Sequence, residues 1–151
     1  MIKFEQGDIL DPKYKIFCHQ VNCKGVMGAG LARQIRSKYP EVYKDYELRC
    51  QSRHDNLGSC IFSYTNDNRL CISMFAQNRY GHGEQFTDYG AFSNCLKHIK
   101  DFATYALEDF VIAFPYKIGC GLAGGDWNII YEMLKELSQE IKQDVIIVQY
   151  K

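Results

Sequence analysis

Residues 20–31 read "QVNCKGVMGAGL". An apolar strand pattern runs into Asn22, Gly25, Gly28 and Gly30 follow, and a helical pattern opens at once behind them. Glycine tolerates positive φ and lets another molecule touch the backbone, at a cost in chain entropy. Three glycines within residues 25–30 point to a strand-to-helix turn that something approaches closely. A second stretch has the same build. "YKIGCGLAGGDW" (116–127) carries Gly119, Gly121, Gly124 and Gly125 between the apolar run "DFVIAF" (109–114) and a helical pattern that follows Asp126.

The elements around these loops follow from periodicity. Strands are expected at 2–6, 16–22, 59–65, 69–75, 109–114 and 144–149, where β-branched and aromatic residues concentrate. The third and fourth are separated by "NDN" (66–68), a hairpin connection that makes one antiparallel pair. The last two are nearly continuous apolar runs, as in strands covered on both faces. Cys95, Leu96, Ile99, Phe102, Ala103 and Ala106 form one helical stripe, with Thr87 or Asp88 as its N-cap. Ile130, Met133, Leu134, Leu137 and Ile141 form another behind Asp126. Leu31 and Ile35 mark a short helix, and Pro40 suits the first turn of the next one, through Cys50. The order β-β-α-α-β-β-α-β-α-β predicts an α/β fold, a mixed six-stranded sheet with helices on both faces. Ligands of such sheets bind beyond the carboxyl ends of the strands.

A chain of 151 residues is one domain by length. Its 18 Lys plus Arg balance 18 Asp plus Glu, which removes any global field for nucleic acid but leaves room for a local contact. Lys24, Arg33, Arg36 and Lys38 read as a solvated helix face. No apolar run has the length of about 18 residues that a membrane span needs, so a soluble, cytoplasmic protein without a membrane partner is expected. Seven cysteines include no C-x-x-C pair, and Cys18, His19 and Cys23 match no common zinc spacing. The expectation is reduced, mostly buried thiols and no metal or cofactor.

Two matching glycine loops at one sheet edge can grip a diphosphate through backbone N–H groups and a helix dipole. Neither loop ends in the GK[ST] of a P-loop, and "GVMGAG" has its glycines in another order than a Rossmann fingerprint. A nucleotide triphosphatase or dehydrogenase is therefore a poor fit. Asp8, in "QGDIL" (6–10), is placed to accept an exocyclic adenine amine, or else serves a plain turn.

Together "GDIL", "VNCKGVMGAGLARQIRSKYP" and "PYKIGCGLAGGDW" resemble the macrodomain family of ADP-ribose-binding modules over nearly the whole chain. The Val-Met-Gly-x-Gly form of the first loop and the GCG…W form of the second resemble the branch of the terminal ADP-ribose protein glycohydrolase and of antitoxins that strip ADP-ribose from DNA. The resemblance implies a single three-layer α/β/α macrodomain over 1–151. It implies Asp8 and Ile9 at adenine, with Tyr150 lining that side, and Asn22 at the distal ribose. Gly28, Ala29, Gly30 and Leu31 would hold the diphosphate from one side, and Gly119, Cys120, Gly121, Leu122 and Ala123 from the other. The expected activity is removal of ADP-ribose from a modified protein, nucleic acid or metabolite. The alternatives are a module that only binds ADP-ribose and a phosphatase on ADP-ribose 1″-phosphate.

Two departures bear on catalysis. Where hydrolases of the branch carry a lysine this chain has Gln77, and where the glycohydrolase has a loop aspartate it has Ala123. A glutamine forms no Schiff base and an alanine takes no proton. Asp126 reads as an N-cap first. The segment 77–89 also holds Asn78, Arg79, His82, Glu84 and Asp88, and is either a solvated loop or a source of acid–base chemistry. His82 as general acid or base, with Asn22 orienting water, is the catalytic pair expected here.

Overall fold

Strand alternation divides the sheet's side chains between two cores, and that division sets the architecture. The structure, a computed structural model, describes residues 1–106 and 108–150. In chain order the elements are β1 (Ile2–Gln6), β2 (Ile16–Val21), α1 (Gly30–Lys38), α2 (Pro40–Ser52), β3 (Cys60–Tyr64), β4 (Leu70–Phe75), α3 (Tyr89–Tyr105), β5 (Val111–Pro115), α4 (Trp127–Glu140) and β6 (Asp144–Gln149). The strands form one sheet ordered β1-β6-β5-β2-β4-β3, parallel throughout except for the β3–β4 hairpin. Asn68, at φ 64°, supplies the left-handed residue of the hairpin turn, a conformation asparagine tolerates better than most.

Phe17, Val21, Cys71, Phe75 and Ala113 point to one face and pack with Ile35, Tyr39, Val42 and Tyr46 of α1, α2 and the residue between them. Cys18, Ile72, Met74, Ile112 and Phe114 point to the other face, against Phe92, Ile99, Ile130 and Leu134 of α3 and α4. The result is three layers with a core on each side of the sheet. All six residues of β4, Ser73 among them, are buried, as in a strand covered on both faces. Burying each large aliphatic or aromatic side chain contributes about 1.5–3 kcal/mol, so two such cores hold the layers together.

Helix ends come where the sequence places its punctuation. Tyr39 leaves the helical region at φ −127°, ψ 75°, because a residue before proline is pushed out of it, and Pro40 then opens α2. Asp126 caps α4 by accepting from Asn128 N at 2.9 Å. Of the two candidates for α3, Asp88 is the cap, accepting from Ala91 N at 2.9 Å. The Thr87 hydroxyl instead donates to Gly119 O at 2.6 Å, tying the segment before α3 to the second glycine loop. Ala106 and Ile141, which continue the apolar stripes, are C-caps, one residue beyond their helices.

One pairing is short. β2 is in register with β4 over six residues, but with β5 only at Ile16↔Ile112 and Phe17↔Ala113. The two strands separate towards their carboxyl ends. The chain then leaves β2 for α1, on one face, and β5 for α4, on the other. This is a topological switch point, the place where open α/β sheets hold ligands.

Asp88→Ala is expected to lower the free energy of unfolding by about 1 kcal/mol in a urea titration. No measurable loss would mean that Asp88 is not the cap of α3.

Candidate functional site

A cleft follows the separation of β2 and β5 and runs along the carboxyl edge as three adjoining compartments. The first, about 250 Å³, is lined by Asp8, Ile9, Leu31, Pro115, Tyr116 and Tyr150. The second, about 280 Å³, lies between the glycine loops, with His19 and Gln20 lining it together with Gly30, Leu31, Gly119, Gly121, Leu122 and Ala123. The third, about 440 Å³, is bounded by Asn22, Gly28, Ala29, Gln77, Tyr80 and His82. Neighbouring compartments share residues: Leu31, Pro115 and Tyr116 join the first two, and Gln20, Ala29, Gln77 and Ala123 join the last two. A larger concavity, about 890 Å³, sits at the opposite edge, where Ile16, Leu70 and Val111 begin their strands, and neither glycine loop lines it.

The first loop is built around Asn22 and Tyr46. Asn22 Nδ2 donates to Val26 O at 2.8 Å, and its Oδ1 accepts from Lys24 N at 2.9 Å. The buried Tyr46 hydroxyl lies 2.7 Å from Asn22 O and 2.8 Å from Asn22 Oδ1, and accepts from Val26 N at 3.0 Å. The loop delivers the chain to α1, whose N-cap is Ala29. No side chain caps that end and no acidic residue stands in its first turn. α3 and α4 spend an aspartate there; α1 leaves its first amides and the positive end of its dipole open to the cleft.

The second loop is held by its neighbours. Ala123 O accepts from Phe86 N at 2.7 Å and Thr87 N at 3.1 Å, and Gly125 N donates to Gly119 O at 2.8 Å. Here fold-imposed glycines separate from free ones. A Cβ on Gly124, at φ 72°, would stand 2.5 Å from Glu84 O, so packing against the 76–88 segment demands glycine there. Gly121 adopts a conformation open to any residue and would meet nothing within 4 Å. Gly28 would meet only a Val26 methyl carbon, at 3.3 Å. Gly121 has room for a side chain, and at Gly28 only the Val26 methyl would have to give, by a few tenths of an ångström; both line the cleft.

The family model of the Macro domain matches residues 18–134, both glycine loops included. The chain belongs to the macro domain family. It is 31% identical to an ADP-ribose 1″-phosphate phosphatase of Saccharomyces cerevisiae over 93% of this chain and 94% of that protein. It is 27% identical to a DNA ADP-ribosyl glycohydrolase of Mycobacterium tuberculosis over 99% of this chain, which spans only 42% of that longer protein. The macrodomain of Mycobacterium tuberculosis DarG has the same fold, with a TM-score of 0.85 at 22% identity over 99% of this chain and 97% of that one.

In this macro domain the residues singled out from the sequence gather along the cleft, with one exception. Asp8, Ile9 and Tyr150 line the first compartment, Gly30, Leu31, Gly119 and Gly121 the second, and Asn22, Gly28 and His82 the third. Ala29, Leu122 and Ala123 face both of the last two. Cys120 differs. Its thiol donates to Ile118 O at 3.4 Å and packs against the α3–α4 core, and the residue lines none of the three compartments. Burial pushes the Cys23 and Cys120 thiols up to about 11, and neither is a thiolate nucleophile at neutral pH. Among the described residues no three His, Cys, Asp or Glu side chains converge to hold a metal ion.

The third compartment is sparse in chemistry. Gln77 is occupied at both ends, accepting from Gln20 Nε2 at 2.8 Å and donating to Arg79 O at 2.9 Å. Arg79 is paired with Glu84. Asn22 Oδ1 is already engaged, so what Asn22 offers the compartment is its second Nδ2 hydrogen, as a donor. Among the described residues the compartment's lining holds no Asp, Glu, Lys or Arg, and one imidazole, that of His82.

Two lining residues went unassigned on the sequence. Gln20 bridges Gln77 and Thr87, while its buried Oε1 has no partner. His19 is 1% exposed, sits 2.7 Å from Ser73 Oγ through Nε2 and has no partner at Nδ1. The only sign of either was a polar residue inside an apolar strand. Burial lowers the His19 pKa from 6.5 to about 3, keeping the ring neutral.

The His19 shift fixes a pH dependence. The unfolded chain binds a proton below pH 6.5 that the folded chain refuses until about 3, so this contribution to stability is complete above 6.5 and lost as pH falls. Urea unfolding at about pH 5.5 is expected to give a free energy about 1 kcal/mol below that at about pH 7.5, with His19→Gln flattening the difference. An equal slope in His19→Gln would contradict the burial of a neutral imidazole.

Proposed function

We propose that the cleft binds ADP-ribose, with adenine between Asp8, Ile9 and Tyr150, the diphosphate between the two glycine loops, and the distal ribose beside Asn22 and His82. Gly28 and Gly121 carry this reading: both line the cleft, Gly121 has open space where a side chain would stand, and Gly28 has only a Val26 methyl carbon near it, so packing gives little reason for glycine at either. A diphosphate passing close to the backbone gives that reason. The uncapped end of α1 supplies amides and dipole for the negative charge. The names of two relatives, a phosphatase of ADP-ribose 1″-phosphate and a DNA ADP-ribosyl glycohydrolase, point to the same ligand chemistry.

The activity that fits best is hydrolytic release of ADP-ribose from a modified macromolecule, with ADP-ribosylated nucleic acid the first candidate by likeness to the glycohydrolase and ADP-ribosylated protein or a metabolite ester next. Water adds at the anomeric carbon as the bond to the leaving group breaks through an oxocarbenium-like state, and the leaving atom takes up a proton. His82 is the group in the compartment suited to move that proton, and Asn22 donates a hydrogen bond to a ribose hydroxyl or to the water. The grip on the diphosphate orients the ribose. A second reading, a module that holds ADP-ribose without cutting it, draws on a compartment lining with no lysine or carboxylate among the described residues. We take residues 1–151 as one macro domain working in the cytoplasm, consistent with free thiols at all seven cysteines.

The test is a panel of ADP-ribosylated protein, thymidine-linked and guanosine-linked DNA, acetylated ADP-ribose and ADP-ribose 1″-phosphate, with calorimetry on ADP-ribose. Turnover of any glycosidic substrate supports hydrolysis, and His82→Ala should then slow it by at least about tenfold. Tight binding with no turnover selects the holding module, and phosphate release alone selects the phosphatase. Gly28→Glu should abolish ADP-ribose binding with an unchanged urea midpoint. Asp8→Ala should weaken binding by about 1–3 kcal/mol. Failure of the unaltered protein to bind ADP-ribose would remove the proposal.

A further inference from the structure

Arg69, between the hairpin turn and β4, is 1% exposed although it carries a charge. Its guanidinium lies 3.9 Å from the Phe17 ring centroid. Nε donates to Tyr14 O at 2.9 Å, Nη1 to Leu10 O at 3.2 Å and to the Tyr39 hydroxyl at 2.8 Å, and Nη2 to Ile9 O at 2.7 Å. None of these partners is a carboxylate. The nearest acid in the network is Asp67, which accepts from the Tyr39 hydroxyl at 2.8 Å. A buried cation costs several kcal/mol to desolvate, and its partners indicate what that cost secures. Three of the four are main-chain carbonyls of residues 9–14, the segment between β1 and β2.

The peptide linking Ile9 to Leu10 joins this clamp to the cleft. Its oxygen is taken by Arg69 Nη2, and its N–H donates to Asp8 Oδ1 at 2.9 Å. A peptide unit is planar, so fixing the oxygen also fixes the direction of the N–H on the opposite side. The next carbonyl, Leu10 O, is held by Arg69 and by Lys38 Nζ at 2.6 Å. Asp8 Oδ2 makes no hydrogen bond among the described residues, which leaves it free to accept from a ligand.

We infer that Arg69 is the positioning residue of the adenine compartment: through the Ile9–Leu10 peptide it sets the orientation of the Asp8 carboxylate, and with it the preference for a base carrying an exocyclic amine. This inference rests on the reading of the cleft as an ADP-ribose site. It adds a specificity device that reaches the ligand from beneath the helical layer, with the guanidinium itself touching no ligand. Without the clamp, the carbonyls of residues 9 and 14 lose their donor, that of residue 10 keeps only Lys38, and the 8–11 turn loosens. A loosened Asp8 still carries its charge but no longer selects between an amine and a carbonyl on the base.

The test measures a ratio. Calorimetry compares ADP-ribose with its hypoxanthine counterpart, inosine diphosphate ribose, which presents an oxygen where adenine has its amine. The unaltered protein should prefer ADP-ribose by about tenfold, the worth of one good hydrogen bond to a charged group. In Arg69→Met the ratio should fall to within about twofold of unity, towards the Asp8→Ala value, with affinity for an adenine-free ribose phosphate unchanged. Arg69→Lys, which keeps the charge without the fork, should be intermediate. General loss of stability would weaken all ligands alike and leave the ratio standing. If Arg69→Met does not fold, Tyr39→Phe, which removes one acceptor from Nη1, carries the test, with a drop of about two- to threefold in the ratio expected. A folded Arg69→Met that keeps the full preference, or an unchanged ratio in Tyr39→Phe, overturns the inference while leaving ADP-ribose binding intact. Failure of the unaltered protein to bind either dinucleotide, or equal binding of both, overturns the ligand or the Asp8 assignment, and this inference with it.

Discussion

The pairing of β2 with β5 at only two positions, Ile16↔Ile112 and Phe17↔Ala113, is the constraint from which the rest of the site follows. β2 is in register along its full length with β4, and β5 along its length with β6, so the sheet is continuous on either side of the gap. At the gap the strands part, and the residues just past the last pair, His19 and Gln20, line a cleft where they would otherwise be covered by a neighbouring strand. Because the chain leaves β2 and β5 towards opposite faces, the loops that follow flank the cleft without competing for its space. A longer β2–β5 pairing would close the sheet and leave the glycine loops as ordinary turns.

Each loop adds a different physical component. The first brings α1, whose N-terminus no side chain caps, whereas α3 and α4 are capped by Asp88 and Asp126. The second brings backbone held in position by Thr87 and the 76–88 segment, with Gly124 fixed by packing and Gly121 left bare. Polar side chains are mostly committed to holding these loops: Asn22 to Val26 and Lys24, Gln77 to Gln20 and Arg79, Thr87 to Gly119. The site is therefore rigid in its backbone and has few side chains free for chemistry. That balance matches a cleft whose main work is to hold a ligand in one orientation.

Local features of the fold could be read from the chain. The six strands, the hairpin at residues 66–68, the break at Tyr39–Pro40 and the Asp126 cap all depend on residues within a few positions of one another. The two glycine loops were legible because strand, glycines and helix are adjacent in sequence. What stayed hidden depends on partners distant in sequence. His19 becomes a buried neutral ring only beside Ser73, 54 positions on, and Tyr46 becomes the strut of the first loop only when α2 packs over β2. Arg69 looks like a hairpin charge until it is seen to reach Ile9, 60 positions back. Whether the Cys120 side chain faces ligand or core was equally beyond local pattern, since a loop thiol is polar enough for one and apolar enough for the other.

Whether backbone amides of the two glycine loops grip the diphosphate of ADP-ribose can be seen by following the amide resonances of the unaltered protein during titration with ADP-ribose. The largest shifts are expected at Gly28–Ala32 and Gly121–Ala123, with smaller ones near Asp8 and Tyr150 and little change at the opposite edge of the sheet around Lys15 and Asn68. Binding that moves the opposite edge and leaves the glycine loops unperturbed would contradict that grip.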